Sequence, residues 1–277
     1  EVLITDPEYV SYFSHILMAG GRSVRAPVYE QNNFILSAED VKKRITRKTR
    51  AIILNYPDNP TGSTLLEKDL KAICEVVREN DLTVISDEVY ERITYGGVSH
   101  RSIASLPDMK DRVISIFSLS KTYAMTGWRI GYAVGNEDVI KEMTKLQEHV
   151  SIHPSAVSQK AAIAALSGPQ DAVKKMVEEY DRRREKMYRE INEISGISCI
   201  KPLGAFYIFA NVKDLGMTSY DTAIFFLEKS RVATVPGSEF GPSGEGYIRI
   251  SYSTSQDQIE KGIGRMADGV GKMKHSR

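Results

Sequence analysis

Three short apolar runs in the first half of the sequence each end in polar side chains that could do chemistry. With the segments that follow them, these runs are Ala51–Asn55 before Tyr56-Pro57-Asp58-Asn59-Pro60-Thr61-Gly62, Leu82–Ser86 before Asp87-Glu88-Val89-Tyr90, and Val113–Phe117 before Ser118-Leu119-Ser120-Lys121. Ligands of an open α/β sheet bind outside the carboxyl ends of its strands, so we expect the polar side chains to converge on one crevice. Those side chains are Asn59, Asp87, Tyr90, Ser118, Ser120 and Lys121.

The chemistry offered by this set centres on a lysine amine. The pKa of a free lysine lies near about 10.4, and burial beside another cation lowers that pKa and frees the amine as a nucleophile. Lys121 follows an apolar strand, and Arg129 comes soon after it. A pyridoxal cofactor needs such a lysine for its Schiff base, an acid for its pyridine nitrogen, and donors for its ring oxygen and phosphate. Asp87 could keep that nitrogen protonated, and a displaced Lys121 could shuttle the substrate's proton. The residue types therefore predict pyridoxal 5'-phosphate.

The elements that must position these residues follow from the apolar pattern. Predicted strands cover Val2–Ile4, Ser23–Val28, Ala51–Asn55, Leu82–Ser86, Val113–Phe117 and Ile130–Val134, with helices between several of them, most clearly Leu65–Glu79. Near-continuous apolar strands that alternate with amphipathic helices indicate an α/β domain with a mostly parallel sheet flanked by helices. We expect this large domain to occupy residues 1–180.

A smaller C-terminal α/β domain is predicted for residues 181–277, after a run of helices that begins near Asn136. Its predicted strands lie near Ala205–Asn211, Val232–Val235 and Tyr247–Ser251, and its predicted helices near Ser219–Lys229 and Gln256–Val270. A long charged helix over Asp171–Ser195 is expected to bridge the two domains.

Composition argues against several other classes of protein. The net charge of +1, from 37 basic and 36 acidic residues, argues against nucleic-acid binding, and the Arg182-Arg183-Arg184 run is better explained as a solvated helix face. No apolar stretch reaches the roughly 18 residues that span a bilayer. Cys74 and Cys199 lack metal-ligand spacing, so we expect no metal site, reduced thiols and a cytoplasmic location.

Seven motifs in order make the sequence resemble the fold type I (class I and II) aminotransferases, near the aspartate and aromatic amino-acid branch. They are Asn59-Pro60-Thr61-Gly62, Ser86-Asp87-Glu88-Val89-Tyr90, Ser118-Leu119-Ser120-Lys121, Gly127-Trp128-Arg129-Ile130-Gly131, Pro202-Leu203-Gly204-Ala205-Phe206-Tyr207, Val235-Pro236-Gly237 and Tyr247-Ile248-Arg249-Ile250-Ser251. Each motif alone has an ordinary explanation, such as a turn, a helix cap or a structural ion pair. Together they are highly specific, and the resemblance covers essentially the whole chain.

For the cofactor ring, the resemblance implies roles for four residues. Lys121 forms the Schiff-base link, and Asp87 pairs with the ring nitrogen. Asn59 and Tyr90 hydrogen-bond the ring oxygen. Lys121, Asp87 and Tyr90 are therefore the expected catalytic residues.

For the phosphate and the substrate, the resemblance implies four further contacts. Ser118 and Arg129 bind the cofactor phosphate, and the planar fork of Arg249 holds the substrate α-carboxylate beside Asn59. Tyr9, in Asp6-Pro7-Glu8-Tyr9, matches the aromatic ring that stacks on the cofactor, although alone it could equally be a core residue.

The family also has segments with no counterpart here before Val2. These are a glycine- and serine-containing phosphate loop, an N-terminal arm over the substrate, and a tyrosine that reaches the partner subunit's phosphate. The sequence starts with Glu1 and lacks an initiator methionine, so we interpret it as lacking the N-terminal segment. On that interpretation we expect weak cofactor binding, slow turnover and looser association of the homodimer that the family forms.

The predicted function is amino-group transfer from an L-amino acid, of aspartate or aromatic type, to a 2-oxo acid such as 2-oxoglutarate. Two alternatives remain. One is a lyase or synthase on the same scaffold, such as a carbon–sulfur lyase, and the other is a non-catalytic binding or regulatory module. An intact Lys121, Asp87 and Arg249 argues against the module, since such a protein is free to lose them.

Overall fold

A computed structural model describes residues 1–275 and contains a six-stranded sheet and a three-stranded sheet. The strands of the larger sheet are β1 (Val2–Asp6), β2 (Ser23–Pro27), β3 (Ala51–Asn55), β4 (Thr83–Asp87), β5 (Val113–Ser118) and β6 (Gly131–Val134). Their order is β2-β1-β3-β4-β5-β6, and every neighbouring pair is parallel except β5 and β6. The predicted α/β fold with a mostly parallel sheet is confirmed.

Helices lie between the strands of this sheet, and the amphipathic helix Glu67–Glu79 packs its apolar face into the core. The helices of this part are α1 (Ser11–Met18), α2 (Ala38–Lys42), α3 (Glu67–Glu79), α4 (Leu119–Thr122), α5 (Glu137–Ser151) and α6 (Ala156–Ser167). In α3, Leu70, Ile73 and Val77 recur at three- and four-residue spacing and are buried. Their burial, together with Leu54 and Val84 of the sheet, builds the larger apolar core. No helix within residues 1–275 is long and apolar enough to cross a membrane.

The three-stranded sheet belongs to a second apolar core. Its strands are β7 (Tyr207–Asn211), β8 (Val235–Pro236) and β9 (Tyr247–Ser251), in the antiparallel order β7-β9-β8, and the accompanying helices are α7 (Asp171–Asn192), α8 (Ser219–Phe225) and α9 (Gln256–His275). Met187 and Ile191 of α7 and Ile259 and Ile263 of α9 are buried in this core. The core also takes in Tyr90, which follows β4.

One predicted strand is shorter than the pattern indicated. The apolar run suggested Val232–Val235, whereas the strand starts at Val235. A π-helical turn over Phe226–Ser230 ends at Arg231, whose φ of 57° is left-handed, and the amide of Val232 donates to the carbonyl of Phe226. Arg231 and Val232 therefore belong to the end of the preceding helix, whereas the sequence suggested a strand there.

Helix α7 runs without interruption across position 180, so the boundary between residues 1–180 and 181–277 stays a prediction. Within α7, the interpretation of Arg182-Arg183-Arg184 as a solvated face is wrong at Arg184, whose side chain is buried and whose Nη1 donates to the carbonyl of Pro202 over 2.7 Å. Its guanidinium also lies 4.8 Å from the centre of the Tyr95 ring. The helix is thus attached both to the loop before β7 and to the segment after β4.

The Asn59 loop is held between the two cores by main-chain bonds. The carbonyl of Gly62 accepts from the amides of Leu203 and Gly204, both over 2.9 Å. Gly62 has a φ of +72°, and a Cβ there would lie 2.6 Å from Cβ of Pro202. The close approach therefore requires glycine for conformation and for space.

We expect Gly62→Ala to destabilise the protein more than Gly97→Ala does. Gly97 has a similar φ of +76° but nothing within 4 Å of an added Cβ. The left-handed conformation should cost about 1–2 kcal/mol in either variant, and overpacking against Pro202 should add about 1–3 kcal/mol at position 62 alone. Urea unfolding of the two variants measures the difference. Equal losses would show that the contact with Pro202 relaxes freely.

Candidate active site

The carboxyl ends of the central strands open into a cavity of about 430 Å³. It is lined by Tyr9, Tyr12, Asn55, Asn59, Asp87, Val89, Tyr90, Ser118, Ser120, Lys121, Thr126, Arg129, Tyr207 and Arg249. All eight residues that were assigned a role from the sequence are in this lining, and so is Ser120, which was expected in the same crevice. The expected convergence on one crevice is therefore present in the structure.

Strand register explains why the polar groups meet. Asn55 pairs with Asp87 in the β3–β4 ladder, and Asp87 pairs with Ile116 of β5, so the three strands end close together. The chain turns directly from β5 into α4, where the Ser118 hydroxyl accepts from the amide of Ser120 over 3.2 Å. This turn puts Lys121 one helical turn beyond the strand end.

The Lys121 amine lies in an environment that favours its neutral form. The side chain is partly buried, and its Nζ is 5.6 Å from the centre of the Phe206 ring. Burial lowers the pKa of Lys121, and the positive charges of Arg129 and Arg249 lower it further. Such an amine is the better nucleophile at neutral pH.

Arg129 is positioned by an unusual backbone conformation. Its φ of 47° is left-handed, and its Nη1 donates to the carbonyl of Thr126 over 2.7 Å. The next strand starts at Gly131, where a Cβ would lie 2.4 Å from the carbonyl oxygen of Phe117. Glycine thus lets β6 approach β5 closely and keeps the Arg129 turn beside Ser118, which pairs with Gly131.

Asp87 lines the cavity, and both of its carboxylate oxygens accept hydrogen bonds. The Tyr12 hydroxyl donates to Oδ2 over 2.6 Å, and the amide of Val89 donates to Oδ1 over 3.2 Å. Burial raises the pKa of Asp87, and these two donors oppose the rise because they stabilise the anion. A cationic ring nitrogen would favour that anion further.

Two phenols meet on another wall of the cavity. The hydroxyls of Tyr90 and Tyr207 are 3.0 Å apart, and both side chains are buried. Burial, followed by the proximity of Tyr207, raises the pKa of Tyr90. Tyr90 is therefore a protonated donor at neutral pH, suited to a ligand oxygen.

Arg249 is fixed by an amide and two aromatic rings. Its Nη1 donates to Oδ1 of Asn59 over 2.8 Å, and its guanidinium lies 4.5 Å from the ring centre of Tyr207 and 4.9 Å from that of Phe240. Its Nε is buried without a hydrogen-bond partner among residues 1–275. A buried donor of this kind is costly unless an acceptor arrives, as a substrate carboxylate would.

The functional groups that line the cavity are those that pyridoxal phosphate requires of its binding site. The cavity provides an amine of lowered pKa, a hydrogen-bonded carboxylate, a phenol, an amide, a hydroxyl and two guanidinium groups. Its volume lies within the range of roughly 300–1,000 Å³ typical of small-molecule sites. No group of three or more His, Cys, Asp or Glu residues that could hold a metal ion occurs in the part of the chain that the structure describes.

Five lining residues were not expected at this site from the sequence. They are Tyr12, Asn55, Val89, Thr126 and Tyr207. Tyr12 could have been found from its place three residues after Tyr9, because that spacing shares one face at a helix start. Tyr207 ends a recognised motif, but nothing in the sequence indicated its contacts with Tyr90 and Arg249.

Comparisons with known proteins agree with this arrangement. The family model described as aminotransferase class I and II matches residues 1–266. An aspartate aminotransferase of Pyrococcus abyssi is 47% identical over 268 residues, which make up 96% of this chain and 69% of that relative. An aromatic-amino-acid aminotransferase of Thermococcus litoralis is 44% identical over 268 residues, with the same two shares covered.

Solved structures give the same result in three dimensions. The aromatic aminotransferase of Pyrococcus horikoshii matches 99% of this chain with a TM-score of 0.96 and 45% identity, and 74% of that structure is covered. The aspartate aminotransferase of Rhizobium meliloti matches 98% of the chain with a TM-score of 0.93 and 35% identity, over 70% of its own length. The resemblance found in the motifs is confirmed, and the chain belongs to the class I and II aminotransferases, pyridoxal-phosphate-dependent enzymes that move an amino group between an amino acid and a 2-oxo acid.

Proposed function

We propose that this enzyme takes its amino group from an L-amino acid of aspartate or aromatic type and delivers it to a 2-oxo acid such as 2-oxoglutarate. The observation that carries the proposal is the single cavity in which Lys121, Asp87 and Arg249 meet. The relatives named above as aspartate and aromatic aminotransferases support the choice of donor.

For the cofactor, we assign a role to each residue around the ring and the phosphate. Lys121 forms the covalent link, Asp87 faces the ring nitrogen, and Asn59 and Tyr90 donate to the ring oxygen. The remaining three cofactor contacts are the stacking ring of Tyr9 and the two phosphate ligands Ser118 and Arg129. The left-handed turn at Arg129 and the helix start at Ser118 support the phosphate assignment, since both lie at the end of β5.

Bound pyridoxal phosphate supplies an aldehyde that links to amines and a protonated ring that takes up the electron pair left when the substrate loses its α-proton. Lys121 accepts that proton on Nζ once the substrate has displaced it, and later returns it. The lowered pKa of Lys121 suits this work, because the amine must be neutral to accept a proton. Asp87 keeps the ring nitrogen protonated through its carboxylate.

Arg249 binds the substrate α-carboxylate. Its guanidinium is held by Asn59, Tyr207 and Phe240 before the substrate arrives, so little side-chain entropy is lost on binding. The unpartnered Nε provides a donor for one carboxylate oxygen. Asn59, which accepts from Nη1, thereby contributes to both the cofactor and the substrate sites.

We propose three further properties of this enzyme: its oligomeric state, its location and its division into domains. The enzyme works as a homodimer, consistent with exposed apolar side chains on α5 and α6, among them Leu146, Val150 and Val157. It acts in the cytoplasm, consistent with free, buried Cys74 and Cys199. Its chain forms a cofactor-binding domain over residues 1–180 and a smaller domain over residues 181–277.

The donor and the reaction type are tested together by a half-reaction. Given pyridoxal phosphate and L-aspartate or L-phenylalanine, but no oxo acid, the protein should produce pyridoxamine 5'-phosphate and the matching 2-oxo acid. Absorbance and mass spectrometry of the released products measure both. Ammonia with unchanged cofactor would instead identify a lyase. No reaction with any amino acid, from a protein that still binds the cofactor, would favour a binding module.

The role of Lys121 is tested by trapping and by its dependence on pH. Borohydride reduction in the presence of pyridoxal phosphate should leave the pyridoxyl group on Lys121, and Lys121→Arg should abolish that label. Unphosphorylated pyridoxal should react with Lys121 at a lower pH than with an exposed lysine such as Lys68, because the pKa of Lys121 is lowered.

Arg129→Met supplies the matched control for the charge effect. It removes one of the cations that lower the pKa of Lys121, so the reaction with pyridoxal should require a higher pH. Peptide mapping at each pH separates Lys121 from other lysines. The assignment is wrong if the label falls on another lysine, and the electrostatic explanation is wrong if Arg129→Met leaves the profile unchanged.

The role of Arg249 is tested by Arg249→Lys. Lysine keeps the charge but lacks the bidentate fork and cannot replace both Nη1 and Nε. Amino-acid binding should weaken by roughly 1.5–3 kcal/mol, the range for a hydrogen bond to a charged group, while the visible spectrum of the bound cofactor stays the same. Titration of the half-reaction gives the substrate affinity, and an unaltered affinity would refute the assignment.

A further inference from the structure

Tyr12 makes the shortest described contact to Asp87. It lies in the first turn of α1, and its hydroxyl donates to Oδ2 of Asp87 over 2.6 Å, although the two residues are 75 positions apart. The main-chain amide of Tyr12 donates to the carbonyl of Tyr9 over 3.2 Å. The start of α1 therefore carries both the proposed stacking ring and a side chain that reaches the acid on β4.

Few other groups act on the Asp87 carboxylate. The amide of Val89 donates to Oδ1, and Glu88, next in sequence, contributes a negative charge that raises the pKa of Asp87. The side-chain amide of Asn55 donates to the main-chain oxygen of Asp87 and not to its carboxylate. The Tyr12 phenol is therefore the only described side chain that hydrogen-bonds these carboxylate oxygens.

The phenol stays a donor under working conditions. Burial, followed by the charge of Asp87, raises the pKa of Tyr12 well above its ordinary value. A protonated phenol that donates to a carboxylate stabilises the anion and makes that carboxylate a weaker base. Without this donor, the Asp87 carboxylate would hold more strongly the proton that it shares with the cofactor's ring nitrogen.

We propose that Tyr12 is a positioning residue for amino transfer, whose phenol holds Asp87 as an anion and so leaves the shared proton on the cofactor's ring nitrogen. This proposal rests on the role assigned above to Asp87. Without the phenol, the proton moves from the ring nitrogen to Oδ2 of Asp87, which leaves a neutral ring beside a neutral acid. A neutral ring takes up electrons less readily, so removal of the substrate's α-proton slows.

Tyr12→Phe is a clean probe of this idea. The rings of Tyr9 and Tyr12 meet edge to face at 5.5 Å, and phenylalanine keeps that contact while removing the hydroxyl. Tyr247→Phe is a matched control, because the Tyr247 phenol also donates to a carboxylate, that of Glu30, over 3.1 Å. Tyr247 does not line the cavity, so its loss should not affect the ring nitrogen.

The experiment is ¹⁵N NMR of the holoenzyme loaded with pyridoxal phosphate labelled at the ring nitrogen. Wild type and Tyr247→Phe should show the shift of a protonated pyridine. Tyr12→Phe should move toward that of a neutral pyridine, and the half-reaction should slow by roughly 10- to 100-fold, the effect of losing one hydrogen bond to a charged group. Replacement of Tyr12 by 3-fluorotyrosine, which keeps the donor and the shape, should retain the protonated shift.

Each other result has a defined meaning. A protonated shift in Tyr12→Phe, with Lys121 still trapped by borohydride, overturns the role of Tyr12 and leaves the proposed function standing. A neutral shift in the 3-fluorotyrosine protein also overturns the role, because the donor is still present. A neutral ring in the wild type, or no trapping at Lys121, refutes the proposed function itself. If Tyr12→Phe does not fold, the 3-fluorotyrosine protein still tests the role of Tyr12, because a neutral shift there overturns it.

Discussion

The parallel register of β3, β4 and β5 is the constraint on which the rest of the site depends. It pairs Asn55 with Asp87 and Asp87 with Ile116, and it brings the ends of three strands to one edge of the sheet. A slip of one residue in β4 would turn Asp87 to the opposite face, since side chains alternate along a strand. Buried Val84 of β4 resists such a slip, because it would lose its place in the apolar core beside Leu54 of β3. Packing of the apolar core therefore determines the strand register, and the register determines which face of the sheet carries Asp87.

A second constraint connects the two cores through the Asn59 loop. Gly62 attaches this loop to Leu203 and Gly204, while Arg249 of β9 bonds Asn59 itself. Any displacement of the smaller sheet relative to the larger one must alter these contacts. The position of the guanidinium proposed to bind substrate is thus linked to the loop proposed to bind cofactor. Glycine at position 62 makes that link possible, because a side chain would meet Pro202.

Much of this could be predicted from the sequence because the determining signals are local. Apolar runs gave the strands of the larger sheet, and their polar ends gave residues that line one cavity. The strand expected near Val232–Val235 starts only at Val235, because the left-handed exit from a π-helical turn at Arg231 depends on packing and not on periodicity. The contact between Tyr12 and Asp87 joins residues 75 positions apart, and no local pattern predicts such a pair. Long-range hydrogen bonds of this kind can be predicted only after the strand register is known.

The distribution of charge in the cavity is the last step that joins fold to chemistry. The carboxylate of Asp87 accepts from two donors, while burial, followed by the charges of Arg129 and Arg249, lowers the pKa of Lys121. Burial disfavours the charged form of both residues. At Lys121 this favours the neutral amine, whereas at Asp87 it raises the pKa and opposes the ionised carboxylate. The protein thus needs hydrogen-bond donors at the acid but only burial and neighbouring cations at the amine. An amine that is neutral and an acid that is ionised are the two protonation states that a pyridoxal enzyme requires, and the same desolvation helps one and hinders the other. Donors placed on Asp87 are the physical means by which a buried site can have both at once.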